Sequence, residues 1–112
     1  MARTLRVSRA AWHDIEDVRA FTLQRFGPKQ LARYEALISD ALATITEDPE
    51  RGRLRNELAA GIRSRHISQP GRRASHIFFF RVAPDGAIEV VRFLHEAMDY
   101  QRHLVDEDPQ TE

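Results

Sequence analysis

A chain of 112 residues is the size of one domain, with a core that can close without covalent staples. It has no cysteine, which excludes a disulfide framework and a thiolate metal site and fits a reducing compartment. Formal net charge is zero but uneven: residues 51–103 carry ten arginines against five acids, and the stretch from Leu104 carries four acids and no base.

Lys29 is the single lysine among seventeen basic residues. Arginine forks pair bidentately with carboxylates and phosphates. The basic stretch therefore reads either as solvated surface or as a face for an acidic or nucleic-acid partner. The first twelve residues lack the apolar run of a signal peptide, and the apolar cluster from Ile77 to Phe80 is too short to span a bilayer. The expected address is the cytoplasm.

Residues 3–7 read as a short strand, with Leu5 and Val7 on one side. Ser8 is the expected N-cap of a helix over 9–26, whose inward stripe is Ala11, Ile15, Val18, Thr22 and Phe26 with Trp12 beside it. Asp14, Glu16 and Asp17 are expected in its early turns, where the helix dipole favours acids. Gly27-Pro28 ends that helix and starts the next, so an antiparallel helical hairpin is predicted. The second helix covers 28–48, with Leu31, Tyr34, Ile38, Ala41, Leu42 and Ile45 inward, and Pro49 closes it. Trp12, Ile15, Ile38 and Leu42 are expected in the core.

Residues 50–61 read as a polar connection pinned by Leu54 and Leu58. Three strands follow, over 62–68, 74–82 and 87–95, joined by turns at Gln69–Arg73 and Ala83-Pro84-Asp85-Gly86. A short helix over 96–103 and an acidic tail over 105–112, expected to be disordered, complete a single domain spanning 1–104. The predicted class is α+β, β-α-α-β-β-β: a small antiparallel sheet with an N-terminal helical hairpin packed on it and a short C-terminal helix. Phe78, Phe80 and Val82 point one way along their strand, and Ile77, Phe79 and Arg81 the other. A strand apolar on both faces is central. Little chain is left to cover the second face except Met98, Tyr100 and Leu104, so part of it is expected to be completed by a partner.

Dinucleotide, P-loop, zincin and nucleophile-elbow motifs are all missing from the sequence. With a turn centred on Gly71, His66 and His76 would stand opposite each other. Such a pair has the chemistry of an acid–base couple for RNA cleavage, or is simply two satisfied polar residues. His95 and His103 are eight apart with no third ligand, which argues against a metal site. No cofactor is expected.

The stretches IRSRHISQPGRRASHIFFFRV and IEVVRFLHEAMDYQRHL carry a resemblance. With Arg92, Leu94-His95, Met98-Asp99 and Arg102-His103-Leu104 in that order, the chain resembles ParE toxins of the RelE/ParE type II toxin–antitoxin superfamily over about residues 3–104. The resemblance implies a toxin that inhibits DNA gyrase and so stops replication. A ParD-type antitoxin would neutralise it in a hetero-oligomer, and operator DNA would be met only through that complex. It implies no catalytic residue. The antitoxin- or target-binding candidates are Arg63, Arg65, Arg81, Arg92 and Tyr100. The alternative is a ribosome-dependent mRNA endoribonuclease of RelE type, for which Arg65, Arg81, Arg92 and Tyr100 remain possible cluster members. A third reading is a silenced toxin fold that only binds its antitoxin and operator.

Overall fold

The computed structural model describes residues 3–67, 76–96, Tyr100 and Leu104. The elements are β1 (Leu5–Val7), α1 (Arg9–Phe26), α2 (Pro28–Glu47), a 3-10 turn (Pro49–Arg51), β2 (Arg53–Leu54), β3 (Arg63–His66), β4 (His76–Val82) and β5 (Ile88–His95). They form one five-stranded sheet in the order β1-β5-β4-β3-β2. The α+β prediction holds, with two refinements. The polar connection contributes β2 as a two-residue edge strand, and β1 runs parallel to β5 while the other pairs are antiparallel.

The local signals explain the hairpin. Ser8 Oγ accepts from the Ala11 N–H at 2.9 Å and donates to Val91 O at 2.8 Å, so one hydroxyl caps α1 and ties it to β5. Gly27 takes a positive φ of 90° and Pro28 opens α2, so the chain reverses with no intervening loop. The first turn of α1 holds no acid, and Asp14, Glu16 and Asp17 fall in its second and third turns. Asp14 lies farther along and serves a tertiary bond instead.

The helices cover one face of the sheet. Ala11 and Ile15 of α1 and Ile38, Ala41 and Ile45 of α2 pack with Phe78, Phe80, Ile88, Val90 and Phe93. The rings of Phe78 and Phe93 lie 4.3 Å apart. Leu42 is half-buried against this core. Two expected core aromatics are not in it. Trp12 is 55% exposed and Phe26 is 60% exposed. Trp12 sits about 100° round the helix from Ala11, off the stripe that Ala11 and Ile15 define. Phe26 keeps the direction of the stripe but meets an open groove rather than packed sheet.

The second face is closed by the chain itself. Ile77, Phe79 and Leu94 are at most 1% exposed, and they pack with Ile62, Val91 and Leu104, flanked by Leu58, Ala59 and Tyr100. The partner expected over Phe79 is therefore not needed there, because the supposedly polar connection supplies Leu58 and Ala59. Tyr100 is helical, as expected, and so is Leu104, one residue past the predicted end of that helix. The remaining predictions for Met98, Asp99, Arg102, His103, the 69–73 turn and the acidic tail lie outside the described residues.

Candidate partner-docking surface

The five arginine and tyrosine candidates take different places. Arg63 and Arg65 oppose Phe80 and Phe78 in register and share the helix side of β3. Arg63 Nη1 donates to Gly52 O at 2.9 Å, fastening the approach to β2. The Nε of Arg65 is buried without a hydrogen-bond partner. Arg81 stands farther along β4 and its Nε donates to Glu89 Oε1 at 2.7 Å. Arg92 reaches α1, where Nε and Nη2 hold the two oxygens of Asp14 at 2.7 and 2.8 Å. Asp14 Oδ2 also accepts from the Phe93 N–H at 3.0 Å. Tyr100 packs on Phe79 at 5.0 Å between ring centroids, donates its hydroxyl proton to Glu96 O, and lies under the Arg55 guanidinium. Only Arg63 and Arg65 are brought together at one edge. The other three brace separate parts of the fold.

The expected His66–His76 pair does not form. His66 opposes Ile77, and the Ile67 N–H donates to His76 O at 3.1 Å. The register is one residue from that expected, and a one-residue shift puts the two side chains on opposite faces. His76 instead faces His95 across β4 and β5, with ring centroids 5.3 Å apart. Its Nδ1 lies 2.6 Å from the Tyr34 hydroxyl, and its ring stacks on Phe93 at 5.1 Å. Burial, with a smaller contribution from His95, pushes the His76 pKa down to about 4, so its imidazole is neutral at physiological pH. Burial pushes the Tyr34 phenol up to about 12. His66 Nε2 lies 3.9 Å from Glu96 on the other face. Among the described residues no three metal-ligating side chains stand together.

Sequence reasoning missed the feature that His76 and His95 border. A groove of about 360 Å³ runs between the second half of α1, the start of α2 and the ends of β4 and β5. Val18, Phe21, Phe26 and Tyr34 supply its apolar walls, and Asp17, Gln30 and the two histidines its polar points. Phe21 is 58% exposed and meets Phe26 edge-on at 6.4 Å. Trp12 and Leu23 add exposed apolar surface to the same helix. Phe21 and Phe26 form the exposed apolar wall of the groove, and a contiguous exposed apolar wall is a candidate interaction surface. The available signal was the surplus of large apolar residues on α1 beyond those its inward stripe requires.

The comparisons with known proteins agree with one another. The family model described as the ParE toxin of type II toxin–antitoxin system, parDE, matches residues 5–100. Toxin ParE1 of Caulobacter vibrioides is 34% identical over 99 residues, 88% of this chain and 95% of the relative. Toxin ParE1 of Mycobacterium tuberculosis is 33% identical over 98 residues, 88% of this chain and 94% of the relative. A solved chain from the chromosomal ParDE TA system of P. aeruginosa shares the fold, with a TM-score of 0.68 at 18% identity over 84% of this chain and 96% of that one. The family match spans the hairpin, the whole sheet and the Asp14–Arg92 brace, the curated relatives cover 88% of the chain, and on that extent the chain belongs to the ParE toxin family of type II toxin–antitoxin systems.

Proposed function

We propose that this protein acts as the toxin of a parDE pair by binding DNA gyrase, with no catalytic centre of its own, and that a ParD-type antitoxin neutralises it by covering the α1 groove. The observation that carries the reading is the exposed aromatic wall of that groove, Phe21 and Phe26, on a chain of this family. Further support comes from the histidines and arginines. His66 and His76 lie on opposite faces, and Arg81 and Arg92 are engaged with Glu89 and Asp14, which favours binding over the ribonuclease alternative. The action belongs in the cytoplasm, and operator DNA is met only through the antitoxin complex. No helix among the described residues is long and apolar enough to cross a membrane.

The purified toxin should inhibit gyrase supercoiling or trap cleaved DNA, and leave mRNA in a translating extract intact. His66→Ala and His76→Ala, if folded, should keep most of the growth inhibition, because loss of a general acid or base removes about 10²–10⁴-fold in rate and loss of an imidazole with no catalytic role does not. Ribosome-dependent mRNA cuts that vanish in either variant would overturn the proposal in favour of the endoribonuclease.

A further inference from the structure

We infer that the arginines of the β2–β3 edge grip the phosphates of duplex DNA; the inference rests on the gyrase reading and gives the toxin its own contact with the DNA that gyrase holds. The surface shares no residue with the lining of the α1 groove. Charge is the first observation. Residues 50–66 hold five arginines and two acids, in a chain whose net charge is zero. Arg6, Arg19, Arg55, Arg81 and Arg92 each hold a carboxylate. No ion pair among the described residues reaches Arg51, Arg53, Arg63 or Arg65. Glu57 is bonded to Arg55 at 2.6 Å and feels Arg53 only as a minor charge. Arg63 is held by Gly52 O, a neutral acceptor that leaves its charge uncancelled. Asp40 borders the same small depression as Arg65 without reaching an ion pair with it.

Placement is the second observation. β2 is the last strand of the sheet. Arg53 opposes Ser64 and shares the face of Phe79, whereas Arg63 and Arg65 share the helix side. Cations therefore leave this edge on both faces. The major groove of B-DNA is about 12 Å wide, has phosphates along both rims and admits a two-stranded ribbon, so such an edge can reach both rims. Arginine forks match phosphate oxygens bidentately. The Nε of Arg65 is buried with no acceptor, a costly state that ends when the side chain swings out onto a phosphate. A duplex fits better than a single strand, because no exposed aromatic stands among these arginines to stack on bases. It fits better than a protein, because Leu54 is the one large apolar side chain exposed here, and protein partners need an apolar or aromatic centre. A chain without net charge holds DNA weakly alone, so the contact acts where gyrase presents the duplex.

The test measures binding of the purified full chain to gyrase alone and to gyrase loaded with a DNA duplex, across a salt series. Arg51→Gln with Arg53→Gln removes two exposed guanidinium groups. The double variant should melt near the parent and bind gyrase alone, and the antitoxin from its own operon, as the parent does. It should bind gyrase–DNA about tenfold or more weakly. Its log–log salt slope there should be shallower by about 2, at ~0.9 per phosphate contact. In the unaltered toxin, phenylglyoxal modification read by mass spectrometry should find Arg51, Arg53, Arg63 and Arg65 shielded by gyrase–DNA and not by gyrase alone. Equal shielding by both, or parental affinity and slope in the double variant, would overturn the inference and leave the gyrase reading standing. Weakened antitoxin binding with gyrase–DNA binding intact would assign the edge to an acidic peptide and overturn the DNA contact. A parent toxin that binds gyrase in neither state would overturn both readings.

Discussion

Replacing Asp14 by alanine should destabilise the protein more than any change to its surface ion pairs. Asp14 accepts three hydrogen bonds, at 2.7 and 2.8 Å from the Arg92 guanidinium and at 3.0 Å from the Phe93 N–H. The side chains are 14% and 13% exposed, so water can replace little of this. Removing one partner of a buried pair costs about 3–5 kcal/mol, because the other charge is left behind. Arg92 has a further interaction, so we take the lower part of that range, about 3–4 kcal/mol. A domain of this size is stable by about 5–15 kcal/mol. At about 4–8 °C per kcal/mol, the melting temperature should fall by ~12–32 °C. Urea unfolding followed by far-UV circular dichroism measures the loss directly. Asp14→Leu with Arg92→Met should recover most of it, since a buried pair exchanged for apolar side chains is often neutral. A single Asp14→Ala variant within about 1 kcal/mol of the parent, or a double variant no better than the single one, would refute the assignment of this pair as the brace between α1 and β5.

Two further outcomes follow from the packing and the buried imidazole. Gly52 has ordinary extended dihedrals, but a Cβ there would come within 2.9 Å of Phe80 Cε1 and closer still to Cζ. Gly52→Ala should therefore cost about 1–3 kcal/mol by overpacking, and Phe80→Leu should relieve part of it in a double-mutant cycle; additive losses would argue against the clash. For His76, the folded pKa of about 4 lies below the ordinary 6.5. The unfolded chain thus binds more protons between those values, so this stabilisation is complete above pH 6.5 and is lost as pH falls toward 4. The shift corresponds to about 3 kcal/mol at most, and partial exposure of His76 reduces the expectation to ~1–2 kcal/mol. His76→Phe should show a flatter fall of stability between pH 6.5 and 4.5 in urea titrations, and an unchanged slope would sink the linkage.

Elements with strong local chemistry were legible in the sequence. Ser8, Gly27 and Pro28 specify their cap and reversal through their own side chains or φ angles, and the helices start and stop where those residues stand. The two-faced pattern of Ile77 to Phe80 identified β4 as central, because side-chain alternation is a property of the strand alone. The β2 edge was not legible, since two residues carry no periodicity. Its formation depends on Arg63 reaching Gly52 and on Gly52 fitting against Phe80.

The candidate site divides along the same line. The sequence by itself determined the family, the hairpin and the arginine-rich composition of the sheet, because these depend on residue identity and short spacing. It could not determine which arginines are engaged. That Arg92 meets Asp14, 78 residues away, is decided only when β5 lies against α1. Whether His76 faces His66 or His95 turned on a single residue of register between β3 and β4, set by packing of the whole strand pair. The exposure of Trp12, Phe21 and Phe26 was likewise settled by the tertiary structure, because burial is a relation between a side chain and whatever the rest of the fold leaves beside it.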